Sequence, residues 1–250
     1  MIPWLSDDDP FPPVTQALQI NDVAPGLLAA SPYLTVSRLV QAYHQGIFPW
    51  YSEGQAVLWW SPDPRMVLMP SKFRASHSLR KLIRQVLRRD EWEIYIDRDF
   101  QGVMQSCANI QRPSQNGTWI TQAILATYYT LHQQNQAHSI EIYYAGQQIA
   151  GLYGVALGRM FFGESMFTRY PNASKLALAA LCAFLKRSQV HLMDCQQASS
   201  HLASLGAFTI PRKKFITHVN QTVGQPPITN WQLDKTILQD WIADTTDDKI

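Results

Sequence analysis

A chain of 250 residues can bury a sizeable core, either as one large domain or as a large domain with a smaller partner. Hydrophobic residues make up 46% and aromatics 11%, so disorder is not expected, and a net charge of +2 is too small to announce a nucleic-acid binder by itself. Three cysteines, Cys107, Cys182 and Cys195, lie far apart with no CxxC and no histidine at ligand spacing, which argues against a zinc site or a disulfide framework and fits a reducing cytoplasm.

The N-terminus lacks the basic and apolar regions of a signal peptide. The longest apolar run, Leu176–Leu185, is about half a bilayer span. Prolines and aromatics crowd the start of the chain, leaving room for one helix, Val36–His44, with Leu39, Val40 and Tyr43 on one side. Trp59-Trp60-Ser-Pro-Asp-Pro-Arg reads as a strand ending in a turn, with a domain boundary near Pro62–Pro64. Ser78 can cap a helix carrying Leu79, Leu82, Ile83, Val86 and Leu87 at helical spacing. Trp92, Ile94 and Ile96 alternate as a strand, and Asp99 caps a helix that turns Phe100, Val103, Met104 and Cys107 inward. A polar loop, Gln111–Gly117, precedes a helix opened by Thr121.

Three strands follow, Ser139–Tyr144, Gln148–Leu157 and Met160–Phe167, with turns at Ala145-Gly146 and Gly158-Arg159. Asn172 caps a long helix, Ala173–Lys186. A strand at Val190–Cys195, a short helix from Ser200 ended by Gly206, and a strand near Phe208–Ile210 complete the order. Asn230–Ala243 reads as an amphipathic helix and Thr245–Ile250 as a solvated tail. The pattern predicts an α/β (α+β) fold with a mixed, mainly antiparallel sheet, in an order similar to that of GNAT-type acyltransferases.

Two strings are unusual for a core. Phe161-Phe-Gly-Glu-Ser-Met-Phe puts Glu164 inside an apolar strand, where a lone buried charge would cost several kcal/mol. Gly163 beside it suggests a bulge; the alternative is that this face of the strand meets water. Leu192-Met-Asp-Cys-Gln places Asp194 and Gln196 on one strand face, an acid and an amide able to hold a nucleophile and relieve it of a proton. Cys195 has no His–Asp arrangement to activate it and reads as core. No GxGxxG or GxxxxGK[ST] loop supports a nucleotide cofactor. The glycine-rich loop that cradles the pyrophosphate of CoA is replaced by Tyr170-Pro-Asn-Ala-Ser-Lys, so the acyl donor is expected to be something else. Arg80, Arg84 and Arg88, with Lys81 and Arg89 beside them, form a basic stripe that fits a phosphate backbone or, equally, a solvated helix face. Trp50 fits a base-stacking aromatic or a core residue at the domain junction.

Taken in order, Gly46-Ile-Phe-Pro-Trp, Trp59-Trp-Ser-Pro-Asp-Pro-Arg, Gly117-Thr-Trp-Ile, Ala137-His-Ser-Ile-Glu, Gly151-Leu-Tyr-Gly-Val-Ala, Phe161-Phe-Gly-Glu-Ser-Met-Phe, Asn172-Ala-Ser-Lys, Asp194-Cys-Gln and Ser204-Leu-Gly-Ala resemble the leucyl/phenylalanyl-tRNA–protein transferase family of bacteria. The resemblance implies a small N-terminal domain (1–63), a GNAT-like catalytic domain (64–220) and a C-terminal helix and tail (221–250). It implies transfer of Leu, Phe and, less readily, Met from Leu-tRNA, Phe-tRNA and Met-tRNA to proteins beginning with Arg or Lys, marking them for degradation, with no cofactor, metal or membrane. It implies that Asp194 and Gln196 are the catalytic pair and Glu164 a site residue. Trp50 and Trp119 would lie near the 3′-terminal adenosine, and Leu152, Phe161, Met166, Leu181 and Met193 would line the side-chain pocket. Arg80, Lys81, Arg84 and Arg88 are the expected tRNA contacts. Leu152 stands where the family can have Met, a swap close in volume. Ser31-Pro-Tyr-Leu departs from the usual Gly-Gly-Asp-Leu. The alternatives are a CoA-dependent N-acyltransferase on the same fold and a tRNA-binding or degradation-adaptor protein without catalysis.

Overall fold

The computed structural model describes residues 2–110 and 118–242. The expected loop Gln111–Gly117 and tail Thr245–Ile250 lie outside the described residues. In the aromatic, proline-rich first part, β1 (Leu27–Ser31), β2 (Phe48–Pro49) and β3 (Val57–Trp60) form an antiparallel sheet in the order β1-β3-β2. The expected helix, α1, spans Val36–His44, and Thr35 caps it by accepting the Arg38 N–H. At the Ser31-Pro-Tyr-Leu departure, the Ser31 hydroxyl accepts the Trp59 indole N–H and donates to the Tyr33 carbonyl, closing that turn locally.

A second sheet begins at β4 (Arg65–Leu68), just past the prolines. After it come α2 (His77–Arg88), β5 (Trp92–Ile96), α3 (Phe100–Asn109), α4 (Gln122–Gln133), β6 (Ala137–Tyr144), β7 (Gln147–Leu157), β8 (Met160–Thr168), α5 (Ala173–Arg187), β9 (Met193–Asp194), α6 (Ser200–Ser204), β10 (Phe208–Ile210) and α7 (Arg212–Thr222). The seven strands lie in the order β10-β4-β9-β8-β7-β6-β5; all pairs are antiparallel except β8 with β9. This is the mixed, mainly antiparallel sheet the sequence predicts. No helix among the described residues is long and apolar enough to cross a membrane.

Side-chain alternation along β7 and β8 divides the core between the two faces of this sheet. Tyr153, Val155 and Phe162 join a cluster with Leu28, Tyr43, Trp59, Val103 and Tyr128, so apolar packing runs unbroken across the change of sheet at Pro62–Pro64. Leu152, Phe161 and Met193 join the other cluster, with Leu79 and Ile83 of α2 and the apolar length of α5.

Several expectations are corrected. Ser76, not Ser78, caps α2, because its hydroxyl is the one that reaches the Leu79 N–H. Asn172 stands at the N-cap of α5 but, with φ +64°, it makes no side-chain cap. The expected strand Val190–Cys195 shrinks to Met193–Asp194, because Gln196 turns to φ +60° and ends the extended run. The expected C-terminal helix is only a 3-10 helix over Lys235–Trp241; ahead of it Trp231 is held by stacking on His138 and packing on Phe184, rather than by helical pairing.

β7 and β8 fall out of register between Tyr153 and Gly154. Tyr153 faces Ser165 and Gly154 faces Gly163, which leaves Glu164 as the extra residue of a β-bulge, as Gly163 suggests. A Cβ at Gly154 would run into the Phe162 carbonyl and the Phe161 ring. Gly154→Ala is therefore expected to lower unfolding stability by about 1–3 kcal/mol in a urea titration; an unchanged midpoint would show that the bulge has room for a side chain.

Candidate active site

β8 and β9 pair side by side only at Phe161 with Met193 and Phe162 with Asp194. Beyond Phe162, β8 continues on β7 alone, and the chain after β9 turns away at Gln196. A cavity of about 480 Å³ is lined by residues of both segments. Its apolar walls are Leu152 on β7, Phe161 and Met166 on β8, Leu178 and Leu181 on α5, and Met193 on β9; Glu164, Asp194 and Gln196 bring the polar groups. An apolar cleft with a few convergent polar groups is the usual form of a small-ligand site.

Asp194 has no access to water. Its two oxygens accept from Arg65 Nε at 2.7 Å and Arg65 Nη2 at 2.5 Å, a bidentate pair. Arg65, equally buried, also donates from Nη1 to the Gly46 carbonyl and lies over the rings of Phe48 and Phe215, with its guanidinium carbon 4.7 and 4.5 Å from their centroids. Asp194 Oδ1 further accepts the Gln196 backbone N–H at 2.9 Å. The Gln196 side chain then crosses to β8, where Nε2 donates to Glu164 Oε1 at 3.0 Å. Glu164 also accepts from the Tyr43 hydroxyl of α1 at 2.5 Å and the Tyr128 hydroxyl of α4 at 3.0 Å.

Burial pushes the Glu164 carboxyl up to about 8, and the charge of Asp194 adds to the rise; hydrogen bonds from Tyr43, Tyr128 and Gln196 act in the opposite direction and do not overcome it. The same burial, reinforced by Glu164, holds both tyrosines well above their ordinary value. Cys195 lies in the cavity wall, but burial and the neighbouring Asp194 push its thiol up, so it offers no thiolate at neutral pH.

The structure thus gathers Leu152, Phe161, Glu164, Met166, Leu181, Met193, Asp194 and Gln196 at one cavity. Trp50 and Trp119 are half-buried, pack against the first apolar cluster and do not line it. Trp50 sits 5.5 Å from Trp60, whose indole N–H donates to its carbonyl. Arg80, Lys81, Arg84 and Arg88 are exposed on α2, opposite the buried Leu79, Leu82, Ile83 and Val86. Sequence reasoning missed Arg65, Tyr43 and Tyr128; the available signals were a cation opening an apolar strand and tyrosines on the inward faces of two helices.

Metal-capable atoms converge elsewhere, at Asp97, His132 and His138, within 4.8 Å of one another. There His138 Nδ1 pairs with Asp97 Oδ2 at 2.6 Å and His132 Nδ1 donates to the Ala137 carbonyl at 2.9 Å, so protein groups already satisfy these nitrogens.

The family profile described as leucyl/phenylalanyl-tRNA protein transferase matches residues 67–220, and that of its N-terminal domain matches residues 33–63. A leucyl/phenylalanyl-tRNA–protein transferase of Cupriavidus taiwanensis is 58% identical over 96% of this chain and 96% of its own. One from Paraburkholderia xenovorans is 57% identical over 97% of this chain and 99% of its own. Among solved structures, a GCN5-related N-acetyltransferase-like protein from Streptococcus suis covers 70% of this chain and 64% of its own at 14% identity and a TM-score of 0.31, too slight a likeness to argue from.

Two outcomes follow from the site's electrostatics. Asp194→Ala leaves the buried Arg65 charge without its carboxylate and is expected to cost about 3–5 kcal/mol in denaturant unfolding; a loss below about 1 kcal/mol would mean that water reaches Arg65. Glu164 keeps its proton in the folded chain up to about 8 and loses it near the ordinary carboxylate value when unfolded, so stability falls as pH rises through that window. Glu164→Gln should flatten the difference in unfolding free energy between about pH 5 and about pH 8; a variant as pH-sensitive as the wild type would contradict the assignment.

Proposed function

This chain belongs to the leucyl/phenylalanyl-tRNA protein transferase family, and from that premise we propose that it moves Leu or Phe, and less readily Met, from aminoacyl-tRNA to the N-terminal Arg or Lys of acceptor proteins, marking them for degradation in the cytoplasm. The observation that carries the reading is the apolar cavity flanked by the Gln196–Glu164 bridge: a pocket for one side chain with an amide and a carboxyl at its polar edge.

In this reading the Leu or Phe side chain of the donor enters between Leu152, Phe161, Met166, Leu181 and Met193, with its ester carbonyl beside Gln196. Gln196 gives its NH₂ group to Glu164, which leaves its carbonyl oxygen to accept an N–H of the incoming α-amine. Nitrogen attacks the ester carbon, the C–O bond to the tRNA 3′ end breaks, and the amine's proton ends on the departing hydroxyl. The ester is already activated, so alignment of amine and carbonyl supplies much of the rate. Asp194 has both oxygens engaged by Arg65 and acts on the amine through Gln196, as a positioning group. Glu164 favours an acceptor whose first side chain is cationic.

Trp50 and Trp119 serve the terminal adenosine, and Arg80, Lys81, Arg84 and Arg88 the tRNA backbone, in keeping with their exposed or half-buried positions. Residues 1–63 form the small N-terminal domain, 64–220 the GNAT-like catalytic domain and 221–250 the C-terminal segment.

Labelled Phe-tRNA mixed with the protein and peptides beginning with Arg or Ala tests this. Label moving to the Arg peptide alone supports the transferase, and movement to neither sinks it in favour of a binding protein. An apolar pocket discriminates by about 1–3 kcal/mol per methylene, so Val-tRNA should serve roughly 10–200-fold less well than Leu-tRNA. Gln196→Ala should lower transfer by about 10²-fold while aminoacyl-tRNA affinity stays within a few-fold; equal loss of both would move Gln196 from chemistry to donor binding.

A further inference from the structure

Tyr43, Tyr128 and Glu164 make three mutual oxygen contacts. The two hydroxyls lie 2.6 Å apart, Tyr43 meets Glu164 Oε1 at 2.5 Å, and Tyr128 meets Oε2 at 3.0 Å. Each phenol owns one proton. If the carboxyl is ionised, two protons must serve three contacts, and one pair of oxygens is left facing lone pair to lone pair. If it is protonated, three protons serve three contacts. Both tyrosines are fully buried, so water does not reach the contact between their hydroxyls, and Glu164 meets the cavity only at its edge. The Gln196 amide reaches Oε1 with its own proton and does not change this count. Each phenol taken singly favours the carboxylate, but the pair, because its members touch, favours the acid.

The surroundings of Glu164 act the same way. The charge of Asp194 on β9 works against ionisation of Glu164, and Arg65 on β4 is bonded to Asp194 and makes no hydrogen bond to Glu164. Tyr153 on β7 packs edge-on against the Tyr128 ring and brings no positive charge. Of the other titratable groups lining the cavity, burial pushes the imidazole of His201 on α6 down and the thiol of Cys195 up, so both favour their neutral forms. We propose that Tyr43, Tyr128 and Glu164 form a proton-holding ring that keeps the empty cavity neutral and releases its proton to solvent when a cationic chain terminus binds, with the two tyrosines as positioning residues that set the charge of the site. The inference rests on the transferase reading for the identity of that cation. An incoming Arg or Lys terminus supplies the charge that favours the carboxylate, so recognition of the acceptor and ionisation of Glu164 are one coupled event.

The test is a titration followed by carbon NMR on protein labelled at the glutamate carboxyls, with the Glu164 signal identified by its loss in Glu164→Gln. Tyr43→Phe and Tyr128→Phe each remove only a hydroxyl and leave one phenol proton for one contact. In either variant the Glu164 midpoint should fall by about one pH unit. A midpoint that stays or rises in both overturns the ring. Adding an Arg-initiated peptide to the wild type should also lower the midpoint, and an Ala-initiated peptide should lower it less; an unmoved midpoint with the Arg peptide contradicts proton release on binding. The titration needs neither tRNA nor turnover. A protein that fails to transfer Phe but titrates as expected would fault the transferase reading and leave the ring standing.

Discussion

An arginine and an aspartate with no access to water, Arg65 and Asp194, hold the centre of this protein. Removing two charges from water is costly, and their attraction offsets that cost only with good geometry and further hydrogen bonds. Both conditions are met: the pair is bidentate, a backbone carbonyl takes a third arginine N–H, and two aromatic rings flank the guanidinium. The groups involved come from five places, the turn after α1, β2, β4, β9 and α7. The ion pair therefore fixes where the first part of the chain sits against the second sheet, and it fixes the backbone of Gln196.

The candidate site is built outward from that fixed point. β9 is pinned between β4 and β8 for two residues, and the bulge at Glu164 then carries β8 out of step with β7. The separation leaves an apolar cavity and brings one carboxyl to its edge, where Gln196 reaches across to meet it. Below the cavity α5 is buried along nearly its whole length, so the wall contributed by Leu178 and Leu181 is part of the core. Under the proposed function, specificity for a side chain would come from this packed wall and the chemistry from Glu164 and Gln196, which their neighbours hold by hydrogen bonds.

Local signals are legible in the sequence. Asp99 and Thr121 cap the helices they precede, the turns at Ala145-Gly146 and Gly158-Arg159 join the hairpins, and Gly163 marks the bulge. Ser76 and Ser78 both precede the same apolar run, and only hydroxyl placement separates them as caps. The short strands β1, β2 and β4 and the helix α7 went unseen, since a few residues beside prolines carry too little period to recognise. The partners of the site residues were invisible for a different reason. Arg65 lies 129 positions from Asp194, and Tyr43 lies 121 from Glu164. Periodicity reports which face a residue takes and carries no information about which distant side chain will meet it.

Under the proposed function the Arg65–Asp194 pair serves the reaction by orienting Gln196, beyond its part in holding the fold. Replacing both charges by apolar groups, Arg65→Met with Asp194→Leu, removes the ion pair without leaving an unpaired charge, and such swaps are often neutral for stability. The decisive measurement is single-turnover Phe transfer by this folded double variant, alongside its affinity for aminoacyl-tRNA. The account predicts affinity within a few-fold of wild type and transfer reduced by about 10²-fold or more. Transfer near the wild-type rate in a folded double variant would contradict it and reduce the pair to a structural tie.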